Sequence, residues 1–326
     1  MGFRMRKSIK VAPGVRLNVS KRGVGASVGG GGVRYSAHSS GRRTVSARTG
    51  VPGIYYQESV GGGTRRSAQG PASKPITASP AKPGFFAAKG EKQLYKAIKS
   101  QDVDAIKRVG DEHEPFRLAA YSLAGLLLLS TDTTEARRLL EDAFATGQDP
   151  ADDGFVAKYL YTRLELPLAP GVAAELPVDR DAVGLTLAEL RQEAGEIDGA
   201  IAVVEELEPT TYAAVSLAEL YSAAGRNDDV IDLTNGVKNE DDASALLCVF
   251  RGRAFREQGL HDAAHEALKE ALRARSRAAE IRHLALAERA ENFLAQGKKA
   301  QARKDLERIL AADSDYEGVR TRLAEL

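Results

Sequence analysis

Four glycines, Gly195, Gly225, Gly259 and Gly297, recur at intervals of 30, 34 and 38 residues, and similar residue types surround each of them. Seven residues before each glycine stands a small residue: Ala188, Ala218, Gly252 and Ala290. Four before come Tyr221, Phe255 and Phe293, with Arg191 the exception, and five after come Ala200, Ala264 and Ala302, with Val230 the exception. A small residue, an aromatic and a turn glycine at fixed offsets describe two helices that approach closely and reverse at the glycine. One such pair cannot bury its apolar face alone, so the recurrence demands stacked pairs.

The segment 116–147 is expected to add a helical hairpin of the same kind. Between the two helical blocks, Tyr159–Leu166 and Val172–Val178 flank Pro170-Gly171 and read as a β-hairpin insertion, confined to edge positions by Pro167 and Pro177. At the far end Ser314 and Glu317 have capping-box spacing, with Tyr316, Val319, Leu323 and Leu326 at helical intervals behind them. They predict a capping helix. The mean glycine interval of 34 residues resembles the tetratricopeptide period over residues 182–326, although the proline usual at the repeat end is mostly missing. That resemblance implies a groove lined by the first helix of each pair. Six residues before each glycine lie Glu189, Glu219, Arg253 and Glu291, joined by Arg256, and these five are the candidate partner-binding residues. Their acidic bias favours a basic or neutral partner.

The charge of the chain is segregated. Its net formal charge is +1, but residues 1–90 hold 16 Lys and Arg against the single acid Glu58, whereas residues 91–326 hold 30 basic and 44 acidic residues. Two modules with different electrostatic tasks, or with a mutual attraction, follow from such a split. The basic part alternates in polarity with period two. Phe3, Met5, Ile9, Val11, Leu17, Val19 and Val28 fall on one face of the predicted strands, and Arg4, Arg6, Lys10, Arg16, Arg34 and Arg48 on the other. Pro13-Gly14, Pro52-Gly53 and the run Gly29–Gly32 supply turns, so five or six short antiparallel strands are expected. The basic face is a candidate site for nucleic acid, another anionic surface, or the acidic module of the same chain. From Gln57 to Gly90 the periodicity gives way to Gly, Ser, Ala and Pro, the composition of a flexible linker spanning roughly 30–35 Å. The adjacent Phe85-Phe86 reads either as a local anchor for the linker or, as is usual for two apolar residues at a domain edge, as the start of the following core.

The opening Met1-Gly2-Phe3-Arg4, then Lys7-Ser8-Ile9-Lys10, Pro13-Gly14-Val15-Arg16-Leu17-Asn18, Ser20-Lys21 and the close at Gly50-Val51-Pro52-Gly53 resemble a short bacterial domain of unknown function, number 4236. The resemblance covers residues 1–56 and implies a bacterial β-rich module. That family has no agreed activity, so it transfers no functional residue.

Candidate chemistry is sparse. His261-Asp262-Ala263-Ala264-His265 sets two histidines at i and i+4, as in a zinc-protease helix, but Asp replaces the Glu that would activate water and no third ligand is evident. The repeat register favours a structural helix there. Gly23–Gly29 has glycines suited to a phosphate loop, yet a further strand follows where a dinucleotide fingerprint requires a helix. Cys248, the single cysteine, lies in an apolar run and excludes an intrachain disulfide, which fits a reducing cytoplasm. The basic N-terminus has no apolar segment behind it, and the longest apolar stretch, Leu118–Leu129, falls short of a membrane span. The expected protein is mainly α: a tetratricopeptide-like helical repeat array at 91–326, preceded by a linker at 57–90 and a small N-terminal antiparallel β module at 1–56. The expected role is a non-enzymatic protein-binding scaffold, with no catalytic, cofactor or metal site; polyanion binding through the β module is the alternative.

Overall fold

The computed structural model describes residues 82–161, 163–316 and 318–326 in full, and the backbone of six strands before them. These strands are β1 (Lys7–Ala12), β2 (Val15–Ser20), β3 (Gly23–Gly30), β4 (Val33–His38), β5 (Arg43–Arg48) and β6 (Tyr55–Val60). They pair in sequential antiparallel order, β1-β2-β3-β4-β5-β6. Short connections make this order the natural one, because an antiparallel pair needs only a tight turn. The first ladder carries an irregularity between Lys10 and Ala12, so Val11 has no registered partner in it. The last strand continues to Val60, beyond the expected end of the alternating segment.

The remaining described residues are mainly helical. Helices α1 (Lys89–Ser100), α2 (Val103–Glu112), α3 (Arg117–Leu128), α4 (Thr133–Phe144) and α5 (Gly154–Tyr159) precede β7 (Leu164–Ala169) and β8 (Val172–Leu176). After them come α6 (Arg180–Glu193), α7 (Ile197–Glu205), α8 (Thr211–Ala223), α9 (Asn227–Leu233), α10 (Asp242–Glu257), α11 (His261–Ala271), α12 (Ala279–Ala295), α13 (Lys299–Ala312) and α14 (Val319–Ala324). The chain divides into two compact units, one of residues 71–220 and one combining residues 1–70 with 221–326.

Helix starts are written locally. Asp102, Asp132, Asp153, Asp179 and Asp241 each accept a hydrogen bond from a first-turn amide, satisfying a donor that has no partner inside the helix. Helix ends are equally local. The four repeat glycines have φ of +81, +72, +74 and +72°, and each closes its helix in the same way. At Gly259 the Leu260 amide donates to the Phe255 carbonyl at 2.8 Å and the Gly259 amide to Arg256 at 2.9 Å. That is a Schellman turn, whose left-handed residue is normally glycine because it has no Cβ to clash. The residue four before each glycine therefore offers the carbonyl that anchors the turn. Gln101 (φ +55°) closes α1 with the same two bonds, from Gln101 to Ile98 and from Asp102 to Ala97. Recurring glycines do not reveal this first helix pair, because its turn uses glutamine.

In the unit of residues 71–220, α1 packs on α2, α2 on α3, α3 on α4, α4 on α6 and α6 on α7. In residues 221–326, α10 contacts both α11 and α12, and α12 contacts α13. A helix held between two neighbours buries most of its circumference, as α10 does with Ala245, Leu246, Val249, Phe250 and Ala254. The small repeat positions lie at these close approaches: Ala188, Ala218 and Ala290 are buried, and a Cβ on Gly252 would meet Leu268 Cγ at 2.5 Å. Ala200, Val230, Ala264 and Ala302, five after the glycines, are all fully buried.

Three local expectations need correction. The insertion is a two-stranded hairpin, but Tyr159 ends helix α5, where it is fully buried, and the first strand starts at Leu164. Ser314 does not cap the last helix: α14 begins at Val319 after Gly318 in the left-handed region, leaving the buried Tyr316 ahead of it, while Glu317 lies outside the described residues. Phe85 and Phe86 do not begin a core; they are 87% and 97% exposed.

Candidate protein interface

The five groove residues fall into two chemically different groups. In residues 71–220, Glu189, Gln192 and Glu193 occupy one turn of α6, and Glu219 stands on α8. Gln192 Nε2 donates to Glu219 Oε1 at the long distance of 3.5 Å. Glu189 is exposed to water, and no Lys or Arg among the described residues lies within ion-pair distance of it. Surrounding protein mass desolvates its carboxyl, and the neighbouring Glu193 and Glu219 add like charge, so its pKa is pushed up to about 7. An accessible carboxylate walled by protein and by other carboxylates is a site where an incoming cation relieves repulsion.

In residues 221–326 the corresponding positions are committed to the protein itself. Arg253 Nε meets Glu288 Oε1 at 2.7 Å, and Arg256 Nη2 meets Glu288 Oε2 at 3.1 Å. Glu288, on α12, is fully buried. Glu291 on the same helix holds the guanidinium of Arg322 from α14 through two bonds of 2.9 and 2.7 Å. These pairs join α10 to α12 and α12 to α14. Glu288 was not singled out by the sequence because the repeat offset selects Glu291, three residues on. A buried bidentate pair between Arg289 and Asp305, at 2.7 and 2.8 Å, was missed for the same reason. The available signal was an acid on each helix placed three or four residues from a repeat position.

On the N-terminal sheet, Arg4 and Arg6 lie outside the described residues. The ladder sets Lys10 opposite Arg16, Arg16 opposite Ser27, Ser27 opposite Ser36 and Ser36 opposite Thr44. Arg34 and Arg48 share the parity of this row, two and four residues from Ser36 and Thr44 along their strands. Backbone register therefore assigns Lys10, Arg16, Arg34 and Arg48 to one face of the pleat.

The remaining candidates have structural partners. His261 Nδ1 lies 2.9 Å from Asn292 Oδ1, Asn292 Nδ2 donates to the His261 carbonyl at 3.0 Å, and the His265 ring packs 5.5 Å from Phe293. Cys248 is buried in α10, and burial pushes its thiol pKa up, away from the reactive thiolate. A cation stands beside it: Arg251 reaches Sγ at 3.7 Å while also donating to the Thr234 and Val237 carbonyls. Among the described residues no helix is long and apolar enough to cross a membrane.

Paired helices with close-packed small residues and a left-handed turn between them define a helical repeat protein of tetratricopeptide-like architecture. Residues 3–57 match the profile of a family described as a protein of unknown function, DUF4236. Among solved structures, the N-terminal domain of the EccA1 ATPase from the ESX-1 secretion system of Mycobacterium tuberculosis superposes with a TM-score of 0.51 at 17% identity, covering 72% of this chain and 88% of that one. A thermophilic TPR protein of Thermus thermophilus gives 0.40 at 18% identity, covering 68% and 97%, and BtubC (BKLC) from P. vanneervenii gives 0.43 at 16% identity, covering 70% and 94%. No curated protein matches the chain in sequence. At these identities the likeness concerns the fold.

Proposed function

We propose that the chain is a non-catalytic protein-binding scaffold whose α6–α8 face takes a basic peptide segment. The observation that carries this reading is the clustering of Glu189, Glu193 and Glu219 on the first helices of successive pairs, with Glu189 and Glu193 open to water. A lysine or arginine side chain placed among them removes the like-charge repulsion between these carboxylates. The pH dependence follows in sign. Glu189 takes up a proton as pH falls through about 7, so affinity for a cationic peptide rises with pH across that point. The same carboxyl opposes folding at high pH, because its raised pKa means that the folded chain favours the neutral form. Titrating a fluorescent Lys/Arg-rich peptide library against the full chain tests the proposal. The Glu189→Gln/Glu219→Gln variant is expected to lose about tenfold in affinity and the pH dependence near 7. Equal binding by wild type and variant sinks it.

A second reading rests on the shared register of Lys10, Arg16, Arg34 and Arg48. A row of cations on one face of a β module suits a polyanion, and a Lys10→Glu/Arg16→Glu/Arg34→Glu variant should bind a short oligonucleotide more weakly and with a shallower salt slope. An unchanged slope removes it.

A further inference from the structure

Helix α1 and the turn before it combine two features that the proposed peptide site does not use. Lys89, Lys92, Lys96 and Lys99 recur at i, i+3, i+7 and i+10, a spacing that keeps them on one stripe of the helix, and all four are exposed. The opposite side of α1 is the packed one, with Leu94, Tyr95, Ala97 and Ile98 buried. The one acid of this helix, Glu91, is turned away to Lys158 Nζ at 2.8 Å and to the Tyr159 hydroxyl at 2.6 Å. Among the described residues, Lys89, Lys96 and Lys99 have no carboxylate within ion-pair distance.

Phe85 and Phe86 stand at the head of this stripe. Their segment is held in place, because the Ala87 amide donates to the Gly84 carbonyl at 3.1 Å and Lys92 Nζ donates to the Phe85 carbonyl at 2.5 Å. Two phenylalanines in water, ordered and beside a lysine stripe, are costly unless something covers them. Their rings meet at 88° with centroids 5.3 Å apart, so they do not form the parallel platform on which successive bases stack. Lysine is a compact charge on a long apolar stem, which suits a diffuse layer of headgroups.

The geometry points to a peripheral membrane contact: Phe85 and Phe86 insert at the headgroup boundary of an anionic bilayer while Lys89, Lys92, Lys96 and Lys99 lie along its surface. An apolar insertion beside a basic helical face is the arrangement by which a water-facing helix holds an anionic lipid surface without spanning it.

The full chain contains no tryptophan, so Phe86→Trp introduces a unique fluorescent reporter. Vesicles of phosphatidylcholine with about a third phosphatidylserine are expected to blue-shift its emission and to expose it to lipid-borne quenchers, whereas pure phosphatidylcholine vesicles should bind far less. Phe85→Ser/Phe86→Ser should lower vesicle partitioning at least about tenfold, and Lys89→Gln/Lys92→Gln/Lys96→Gln/Lys99→Gln at least about a hundredfold, both with unchanged helical circular dichroism. Since the N-terminal basic residues offer a second route to anionic vesicles, the reporter is decisive. Emission of the Phe86→Trp variant that stays at its water position on vesicle-bound protein overturns the proposal, as does partitioning unchanged in both of the other variants. A blue shift produced by an acidic polypeptide or an oligonucleotide but not by vesicles also overturns it, in favour of that partner.

Discussion

Glu288→Ala is expected to destabilise the repeats of residues 221–326 by about 3–5 kcal/mol, the cost of removing one partner from a buried ion pair. Arg253 and Arg256, only 13% and 18% exposed, would lose the buried carboxylate that bridges them, and Arg256 would keep only the half-exposed Glu257 as an ion-pair partner at 2.8 Å. Arg256 is already short of a partner, since its Nε is buried without a hydrogen bond. The loss should be specific to removing the buried carboxylate while both guanidinium groups remain. Glu288→Met combined with Arg253→Met and Arg256→Leu is expected to recover most of it, because apolar residues of similar volume remove the desolvation penalty together with the attraction. The exposed pair Lys269–Glu266, with side chains 64% and 68% accessible, sets the comparison: breaking it should cost under about 0.5 kcal/mol. Shifts in the midpoint of urea denaturation separate these cases. A Glu288→Ala midpoint within experimental error of the Lys269 variant would show that the buried pair contributes nothing to stability.

Gly252→Val should cost about 2–3 kcal/mol by overpacking, offset only by the few tenths that valine gains over glycine in helix propensity. A Cβ at this position would lie 2.5 Å from Leu268 Cγ and 2.8 Å from Cδ2, and Leu268 is itself fully buried. Leu268→Ala alone should cost about 2–5 kcal/mol by leaving a cavity. In the double variant the valine occupies part of that cavity, so the two losses should sum to at least about 1 kcal/mol more than the loss measured together. Strict additivity would mean that α10 and α11 do not touch at this point. Gly259, seven residues on, has open space around its Cβ position; its requirement is the positive φ of the turn. The two glycines of this repeat thus serve different physical needs at a fixed separation.

That separation explains why the repeat was legible. Turn glycines, the small residues seven before them and the buried residues five after them are set by contacts within one helix pair, and such contacts have fixed sequence offsets. The β alternation and the order of short hairpins were readable for the same reason: pleat parity and turn chemistry are local. The partners of the groove residues were not readable. Arg253 and Glu288 are 35 residues apart, Glu291 and Arg322 are 31 apart, and nothing at either position signals the other. From composition alone, all five candidate residues were equally solvated helix charges. Glu189 differs from Arg253, Arg256 and Glu291 only through what neighbouring helices place beside it.

By itself, then, the sequence determined the class of fold, the helix boundaries marked by aspartate caps and glycine turns, and the segregation of charge, because each depends on residues within a turn or a repeat of one another. The tertiary structure alone decided which charges are locked between helices and which face water, that Phe85 and Phe86 stay exposed, and that Lys89, Lys96 and Lys99 of α1 have no carboxylate beside them among the described residues. Burial and ion pairing depend on which helix packs against which, and that is set by the whole array of contacts.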